Sequence, residues 1–303
     1  MTLPRVTVLI RAKNEATFIG QTLDLINKQS LTPHEVIVVD SGSTDGTIEI
    51  VQGWKTVRLI HMPSEQFTFG RSLNWGFEAA TGEIIVSISA HAFPSDSDWL
   101  ANLAKHFENP KVAGVYGQQI PQPDAWPPVR RNYEGYYGGK RNVQIDANRE
   151  SDRTFSNANS AVRKSCWEHR PFDEALTAAE DHEWAWAMLK LGYFIVYEPE
   201  AGAYHSHNES LAKLSHRSYR ETLASNQLYQ REMSLYRGIY SWYRWVVADI
   251  QFILKHQLDL VWIVQVPFYR AAEAYGCLRA SSPTALLNLQ PKRLSQRVHG
   301  STS

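Results

Sequence analysis

Cysteine is nearly absent. Cys166 and Cys277 are the only two in 303 residues, far apart and without the paired spacing of a metal site. That argues against a disulfide scaffold and fits a reducing compartment. Long apolar runs are missing as well. The longest candidate, "LDLVWIVQVPFY", falls short of the ~18–20 residues a spanning helix needs and contains Pro267. Net charge is missing: 31 Lys and Arg balance 31 Asp and Glu, which speaks against a nucleic-acid binder. There is no GxGxxG fingerprint and no Walker loop, so dinucleotide and ATP chemistry are disfavoured. The opening "MTLPRVTVLIRAKNE" has too short an apolar stretch for a secretory leader and runs straight into polar residues. The expected setting is cytoplasmic.

What is present is a globular composition, 43% hydrophobic, sufficient for one large domain or two modest ones. The 10 Trp and 14 Tyr favour interfaces and sugar-stacking surfaces. The first half alternates strand and helix signals. "RVTVLIR", "HEVIVVD", "TVRLIHM" and "EIIVSIS" read as buried strands. Between them, "EATFIGQTLDLINKQ" sets Phe18, Ile19, Leu23 and Ile26 at helical spacing, and "STDGTIEIVQGW" opens a helix on capping residues. "GRSLNWGFEAATGE" and "PSDSDWLANLAKHFE" are further helices, the latter with Ser95 and Asp98 spaced as a capping box. This rhythm predicts an α/β fold with a mostly parallel sheet flanked by helices. Residues 121–153, rich in Pro, Gly and Tyr, read as a long loop. A helix over "TAAEDHEWAWAMLKLGY", stopped by Gly192, a strand over "FIVYEP" and an extended "GAYHSH" follow.

Ligands bind at the carboxyl ends of strands in open α/β sheets. Three polar clusters fall there: "RAKNE", "DSGSTDGT" and "SAH". Asp40, ending the second strand, can accept from the imide N–H of uracil or thymine, and Asn14 and Glu15 can hold base or ribose. Arg71 could meet a phosphate through charge-assisted bonds, or be a solvated residue at a helix start. Asp45 reads as a helix cap. Taken in order, "VTVLIRAKNE", "EVIVVDSGSTDGT", "GRSLNWGFEAATGE", "SAHAFP" and "AAEDHEWAWAMLKLGY" resemble the inverting glycosyltransferases of family 2, which have the GT-A fold. The resemblance covers about residues 5 to 210, and "HSHNES" brings it nearest to bacterial rhamnosyltransferase-like members. Arg11 and Lys13 depart from the family's usual proline and aromatic. The resemblance implies nucleotide binding by Arg11, Ala12, Asn14, Glu15, Asp40, Ser41, Arg71, Ser89 and Ala90.

The family carries two metal-binding carboxylates at the end of the fourth strand. Here Ser89 and His91 stand in those positions, and strand alternation would put both on one face with Ala90 opposite. Imidazole suits Mn²⁺ better than Mg²⁺. His205 and His207, two apart in an extended segment, share a face and could join His91. The expectation is a divalent metal, Mn²⁺ or Mg²⁺, on His91 with one or both of them. The other reading of His91 is a hydrogen-bonded structural residue, with the diphosphate held by Arg71, Lys13 and helix N-terminal amides. Asp181 matches the family's base, which takes the acceptor hydroxyl proton, and Glu180 would orient it. Glu174 and Glu183 are rival carboxylates, and acids also favour a helix N-terminus for purely structural reasons.

From Leu211 onward twelve Lys and Arg face five Asp and Glu. Between Leu235 and Lys255 the polar positions Arg237, Ser241, Arg244, Gln251 and Lys255 make one narrow helical stripe. Such a helix is either buried, as in a homodimer, or half sunk in a membrane surface. The expected division is a glycosyltransferase domain over 1–215 and a helical aromatic, basic extension over 216–303. The expected partners are a UDP- or dTDP-type sugar donor and a saccharide or lipid-linked saccharide acceptor, with no nucleic acid. The expected work is transfer of a sugar, such as the deoxyhexose rhamnose, in bacterial polysaccharide assembly, with peripheral attachment at the inner face of the cell membrane. The competing reading is a non-catalytic sugar-nucleotide-binding or scaffold protein.

Overall fold

A computed structural model describes residues 4–149, 152, 154–229 and 234–282. The chain divides into two compact units, Met1–Asn208 and Glu209–Ser303.

The first unit begins β1 (Val6–Ala12), α1 (Ile19–Asn27), β2 (Glu35–Asp40), α2 (Thr47–Gln52), β3 (Val57–His61), α3 (Phe69–Ala79) and β4 (Ile84–Ser89). These strands lie in the order β3-β2-β1-β4, all parallel. The apolar runs of β2, β1 and β4 are covered on both faces, while the edge strand β3 keeps Arg58 and His61 exposed. Val8, Ile10, Val86 and Ile88 pack with Ile19, Leu23 and Ile26 of α1 on one face. Leu9, Ile37 and Ile85 pack with Leu73 and Phe77 of α3 on the other. Each such side chain contributes about 1.5–3 kcal/mol by leaving water. Gly76 lets α3 approach the sheet, since a Cβ there would sit 2.3 Å from Leu9. The register pairs Ala12 with Asp40 and Arg11 with Ser89, so the carboxyl ends of β2, β1 and β4 finish level.

Beyond β4 come β5 (Phe93–Pro94), α4 (Trp99–Ala104), β6 (Val112–Ile120), α5 (Pro127–Tyr137), β7 (Asn142–Gln144), β8 (Asn159–Arg163), α6 (Lys164–His169), α7 (Glu180–Lys190) and β9 (Phe194–Tyr204). The sheet becomes mixed here. β8 runs antiparallel between β4 and β6, while β6 and β9 are parallel. β7 and β5 pair antiparallel with successive parts of β9. One register matters most for the site: Phe93 pairs with Tyr204, and Tyr204 also pairs with Ile120. It brings the chain just after β4, the end of β6 and the end of β9 to one point.

Three expectations need correction. Residues 121–153 are not one loop. Pro127 and Pro128 occupy the first turn of α5, where proline's fixed φ and missing N–H suit a helix start, and β7 follows. Ser95 and Asp98 do not form a capping box. Asp98 is the N-cap without a side-chain cap bond, and its carboxylate accepts instead from Ser30 Oγ at 2.6 Å. Phe18 does not join the buried face of α1 but precedes the helix, 41% exposed.

The second unit contains α8 (Leu211–Tyr229), α9 (Leu235–Lys255) and α10 (Val261–Ala280), with α10 packed on both others. Arg270 is fully buried and holds Asp249 through two bonds of 2.6 and 3.0 Å, with Glu273 at 2.6 Å. Removing one partner of such a pair typically costs about 3–5 kcal/mol. The narrow polar stripe expected on α9 is not the whole of its wet face. Tyr236, Ile239, Tyr240 and Tyr243 are exposed alongside Arg237 and Arg244, while Asp249 lies inside. Among the described residues, no helix is long and apolar enough to cross a membrane.

Candidate active site

The turn after β2 is built from Asp40. One carboxylate oxygen accepts the N–H groups of Gly42 (3.0 Å) and Ser43 (2.9 Å), and the other accepts the Ser43 hydroxyl. Gly42 sits at φ +91°, a left-handed conformation that suits glycine. The turn is laced to the end of β1. Asn14, itself left-handed at φ 57°, donates its N–H to Ser43 Oγ (2.8 Å) and accepts the Thr44 N–H (2.8 Å). Ser41 donates twice to the Ala12 carbonyl. Asp45 accepts from the Thr47 hydroxyl and N–H and from the Ala16 N–H, although Gly46 is the N-cap of α2. The Thr47 hydroxyl bond holds the Asp45 carboxyl below its ordinary range. This network ties the two loops firmly together and leaves the Asp40 carboxylate engaged within its own turn.

Next to it, β4 stops at Ser89, and Ala90 and His91 lie in the turn that follows rather than in the strand. Ala90 is buried, its carbonyl accepting the Thr22 hydroxyl at 2.7 Å. The His91 ring is positioned by Glu15, whose carboxylate lies 2.8 Å from Nδ1. Phe18 meets the same ring edge-on at 6.3 Å. His205, just past β9, is buried, with Nδ1 2.7 Å from Gln119 Oε1. Gln119 donates its own Nε2 to the Tyr137 hydroxyl (2.5 Å) and to Ser156 Oγ (2.9 Å). The two imidazoles stack with Nε2 facing Nε2 at 3.2 Å, and the His207 ring lies 4.8 Å from each. Ligand atoms of all three fall within 4.8 Å of one another.

The tautomers follow from the partners. An ionised carboxylate only accepts, so Nδ1 of His91 carries the proton, and the carbonyl oxygen of Gln119 fixes the same choice on His205. In neutral rings the two Nε2 lone pairs then confront each other, which favours a cation between or beside them. Zinc–imidazole bonds of about 2.0–2.1 Å, taken as a guide for a divalent ion, put neighbouring nitrogens roughly 3 Å apart at ordinary ligand angles. The 3.2 Å separation therefore fits shared ligation, and Glu15 and Gln119 make the outer hydrogen bonds that metal-binding histidines commonly have.

The carboxylates at the start of α7 separate into kinds. Glu174 is paired with Arg71 at 2.7 Å and also bonded to Asn74, and Glu183 is paired with Arg170. Among the described residues, Asp181 accepts backbone N–H groups, from Asn157 (3.0 Å) and His182 (2.8 Å). Glu180 is buried 3.6 Å from Arg11. Burial, and then the charge of Asp181, push its carboxyl up to about 7, against the pull of Arg11. Ala179 opens the helix at φ 63°, an uncommon left-handed conformation for a residue with a Cβ. Arg71 also reaches the Gln66 carbonyl and so is held within the fold. Of the sequence candidates, Glu15, His91, His205 and His207 form one cluster, Asn14, Asp40 and Ser41 a second, and Arg11, Glu180 and Asp181 a third. Gln119 and Asn157 escaped the sequence reading, because "YGQQIP" and "SNANS" carry no spacing that marks them.

The sequence pattern of Glycosyl transferase family 2 matches residues 7–168. The chain belongs to that family. Among curated relatives, it is 30% identical to the O-antigen chain rhamnosyltransferase RfbN of Salmonella typhimurium over 83% of this chain and 82% of that one. It is 28% identical to the O-antigen chain rhamnosyltransferase WbaN of Salmonella anatum over 84% and 82%. Among solved structures, the mannosyltransferase PcManGT from Pyrobaculum calidifontis, in complex with GDP-Man and Mn²⁺, is 21% identical with a TM-score of 0.64, covering 96% of this chain and 89% of that one. This family 2 glycosyltransferase thus has the GT-A-like α/β fold with a helical C-terminal extension, and it transfers a sugar from a nucleotide-sugar to an acceptor.

Proposed function

We propose that this family 2 enzyme transfers a deoxyhexose such as rhamnose, with inversion, from a UDP- or dTDP-type donor to a saccharide or lipid-linked saccharide in bacterial polysaccharide assembly. The two rhamnosyltransferase relatives support the sugar, and their alignment spans most of this chain. The observation that carries the mechanism is the meeting of His91, His205 and His207 beside the nucleotide end of the sheet. The three histidines hold a divalent ion, Mn²⁺ being favoured by imidazole donors. Such an ion would neutralise the developing charge on the diphosphate leaving group. Glu15 serves this centre by orienting His91 rather than by touching the base. Asp40, Asn14 and Ser41 shape the loops that receive the nucleoside, with Ala12, Ser89 and Ala90 as backbone walls.

Asp181 takes the proton of the attacking hydroxyl. It is the carboxylate at this helix start with no cation partner among the described residues, while Glu174 and Glu183 are neutralised. A carboxylate bonded only to backbone amides keeps lone pairs available for an incoming hydroxyl. Glu180 and Arg11 fix the helix start from behind. Arg71, engaged with Glu174, acts on the diphosphate only through that pair. The second unit contacts an anionic membrane surface from the cytoplasmic side. Its support is the exposed Tyr236, Tyr240 and Tyr243 beside Arg237 and Arg244, an aromatic and basic mixture suited to a headgroup layer. A homodimer is the outcome that flotation on anionic vesicles, read beside sedimentation, would reveal instead. Turnover of a nucleotide-sugar panel in Mn²⁺ and in EDTA tests the mechanism. Equal activity in both would remove the ion, and leave the histidines as a structural cluster.

A further inference from the structure

A cavity of about 330 Å³ opens beside the histidine cluster, at the ends of β6 and β9 and against α5. Its walls include Gln118, Gln122, Arg130, Tyr133, Glu134 and Tyr204. Gln119 lies in the same wall and bonds to His205, and the Tyr133 ring lies 6.5 Å from that histidine. The cavity has both kinds of polar group, and among its described lining residues the charges balance. Arg130 and Glu134 neutralise each other at 2.7 Å, one turn apart on α5. A phosphate or nucleotide would want an unpaired cation, and a hydrocarbon would desolvate the Arg130–Glu134 pair without replacing its water. A neutral polyol with apolar ring faces wants what is here: carboxamides that donate and accept, a carboxylate, a guanidinium and two tyrosine rings.

The position assigns the polyol its place. Contacts run in series from the Asp40 turn through Asn14 and Glu15 to His91, then His205, then Gln119. The cavity lies at the far end of that series from the nucleotide loops. Gln119 also bonds Ser156, whose neighbour Asn157 donates to Asp181. A saccharide seated here is next to the histidine cluster and linked to the base through Gln119, Ser156 and Asn157. Inversion requires the acceptor hydroxyl within reach of the base and on the face of the anomeric carbon opposite the leaving diphosphate. We propose that this cavity binds a neutral pyranose unit of the acceptor saccharide. Its naming as acceptor, rather than saccharide site alone, rests on the function proposed above.

Saturation-transfer NMR on the full chain, without nucleotide or metal, tests it with the methyl pyranosides of mannose, galactose, glucose and rhamnose. At least one should receive saturation from the protein. Arg130→Ala, which removes a donor, and Gln122→Trp, which fills the cavity, should each weaken that signal about five- to tenfold, the worth of one or two hydrogen bonds. Thermal melts and calorimetric titration of UDP with Mn²⁺ should match wild type in both variants. No saturation above a protein-free control for any pyranoside overturns the proposal, as does equal saturation in both folded variants. If the pyranoside results hold while UDP and Mn²⁺ fail to bind wild type, the saccharide site stands and the nucleotide reading falls.

Discussion

β2 and β4 flank β1 and end level with it, yet the chain treats their ends in opposite ways. After β2, the carboxylate of Asp40 and the hydroxyl of Ser43 are engaged by nearby groups, and Asn14 ties the loop to the end of β1. After β4, His91 and His205 have one ring nitrogen each fixed by Glu15 and Gln119, and turn the other toward the same point. The first end is a scaffold that offers shape. The second brings two imidazole nitrogens to 3.2 Å, a spacing that suits a shared cation or proton. Chemistry is to be sought where polar capacity is left facing inward, and recognition where it has been used to fix a loop.

Five substitutions would break or sharpen that contrast. The largest effect is expected for Asp181→Asn, which removes the base and leaves the histidines intact. Turnover should fall by about 10²–10⁴ while titrated UDP affinity holds. A turnover near wild type would transfer the role to another group. His91→Ala should remove metal-stimulated turnover, a loss of several kcal/mol or about 100-fold, yet keep nucleotide affinity. Protons compete with metal for imidazole nitrogen, so Mn²⁺ affinity should decline as pH falls. An unchanged Mn²⁺ response in His91→Ala would place the ion elsewhere.

Glu180→Gln probes the buried carboxylate behind Asp181. Its folded value of about 7 lies above the ordinary 4.5, so the folded state holds the proton more tightly than the unfolded chain. The stability from that proton is complete below pH 4.5 and is lost as pH rises through about 7. The glutamine variant should therefore melt with wild type near pH 4.5 and higher at pH 8, by at most about 3 kcal/mol. A pH-independent difference would show that Glu180 is not titrating there. Glu15→Gln keeps the size of the side chain but loses the charge behind His91. Mn²⁺ affinity should drop about 10–100-fold by calorimetry, with UDP affinity little changed. The reverse pattern would return Glu15 to the nucleotide. Asp40→Ala should give the smallest effect on chemistry. Losing the three bonds of the turn should cost about 1–3 kcal/mol in a denaturant melt, with weaker UDP binding as the loop loosens. Wild-type stability would mean the turn holds without it.

The legible parts of the site are those made by neighbours in sequence. "EVIVVDSGSTDGT" contains both the apolar run that buries as β2 and the residues that turn back on Asp40, so its position at a strand end could be read directly. The acidic start of α7 and its stop before Gly192 were likewise visible from local chemistry. The Pro-rich segment misled, because Pro127 and Pro128 signal a loop by composition and a helix start by position. The Ser95–Asp98 spacing misled for another reason. Ser30, far away in sequence, competes for the Asp98 carboxylate, and local spacing carries no trace of it.

The sequence by itself determined the alternation of strands and helices, the polar strand ends and the types of residue at each. Those follow from burial periodicity and turn chemistry, which act over a few residues. Only the tertiary structure decided that His91 and His205 face each other across 114 positions of chain, that Gln119 stands behind one and Glu15 behind the other, and that Asp181 remains free of the cations that hold Glu174 and Glu183. The physical reason is the pairing of Phe93 with Tyr204 and of Tyr204 with Ile120. Backbone hydrogen bonds between strands set that register, and no side-chain pattern in any one segment encodes what the neighbouring strand will bring.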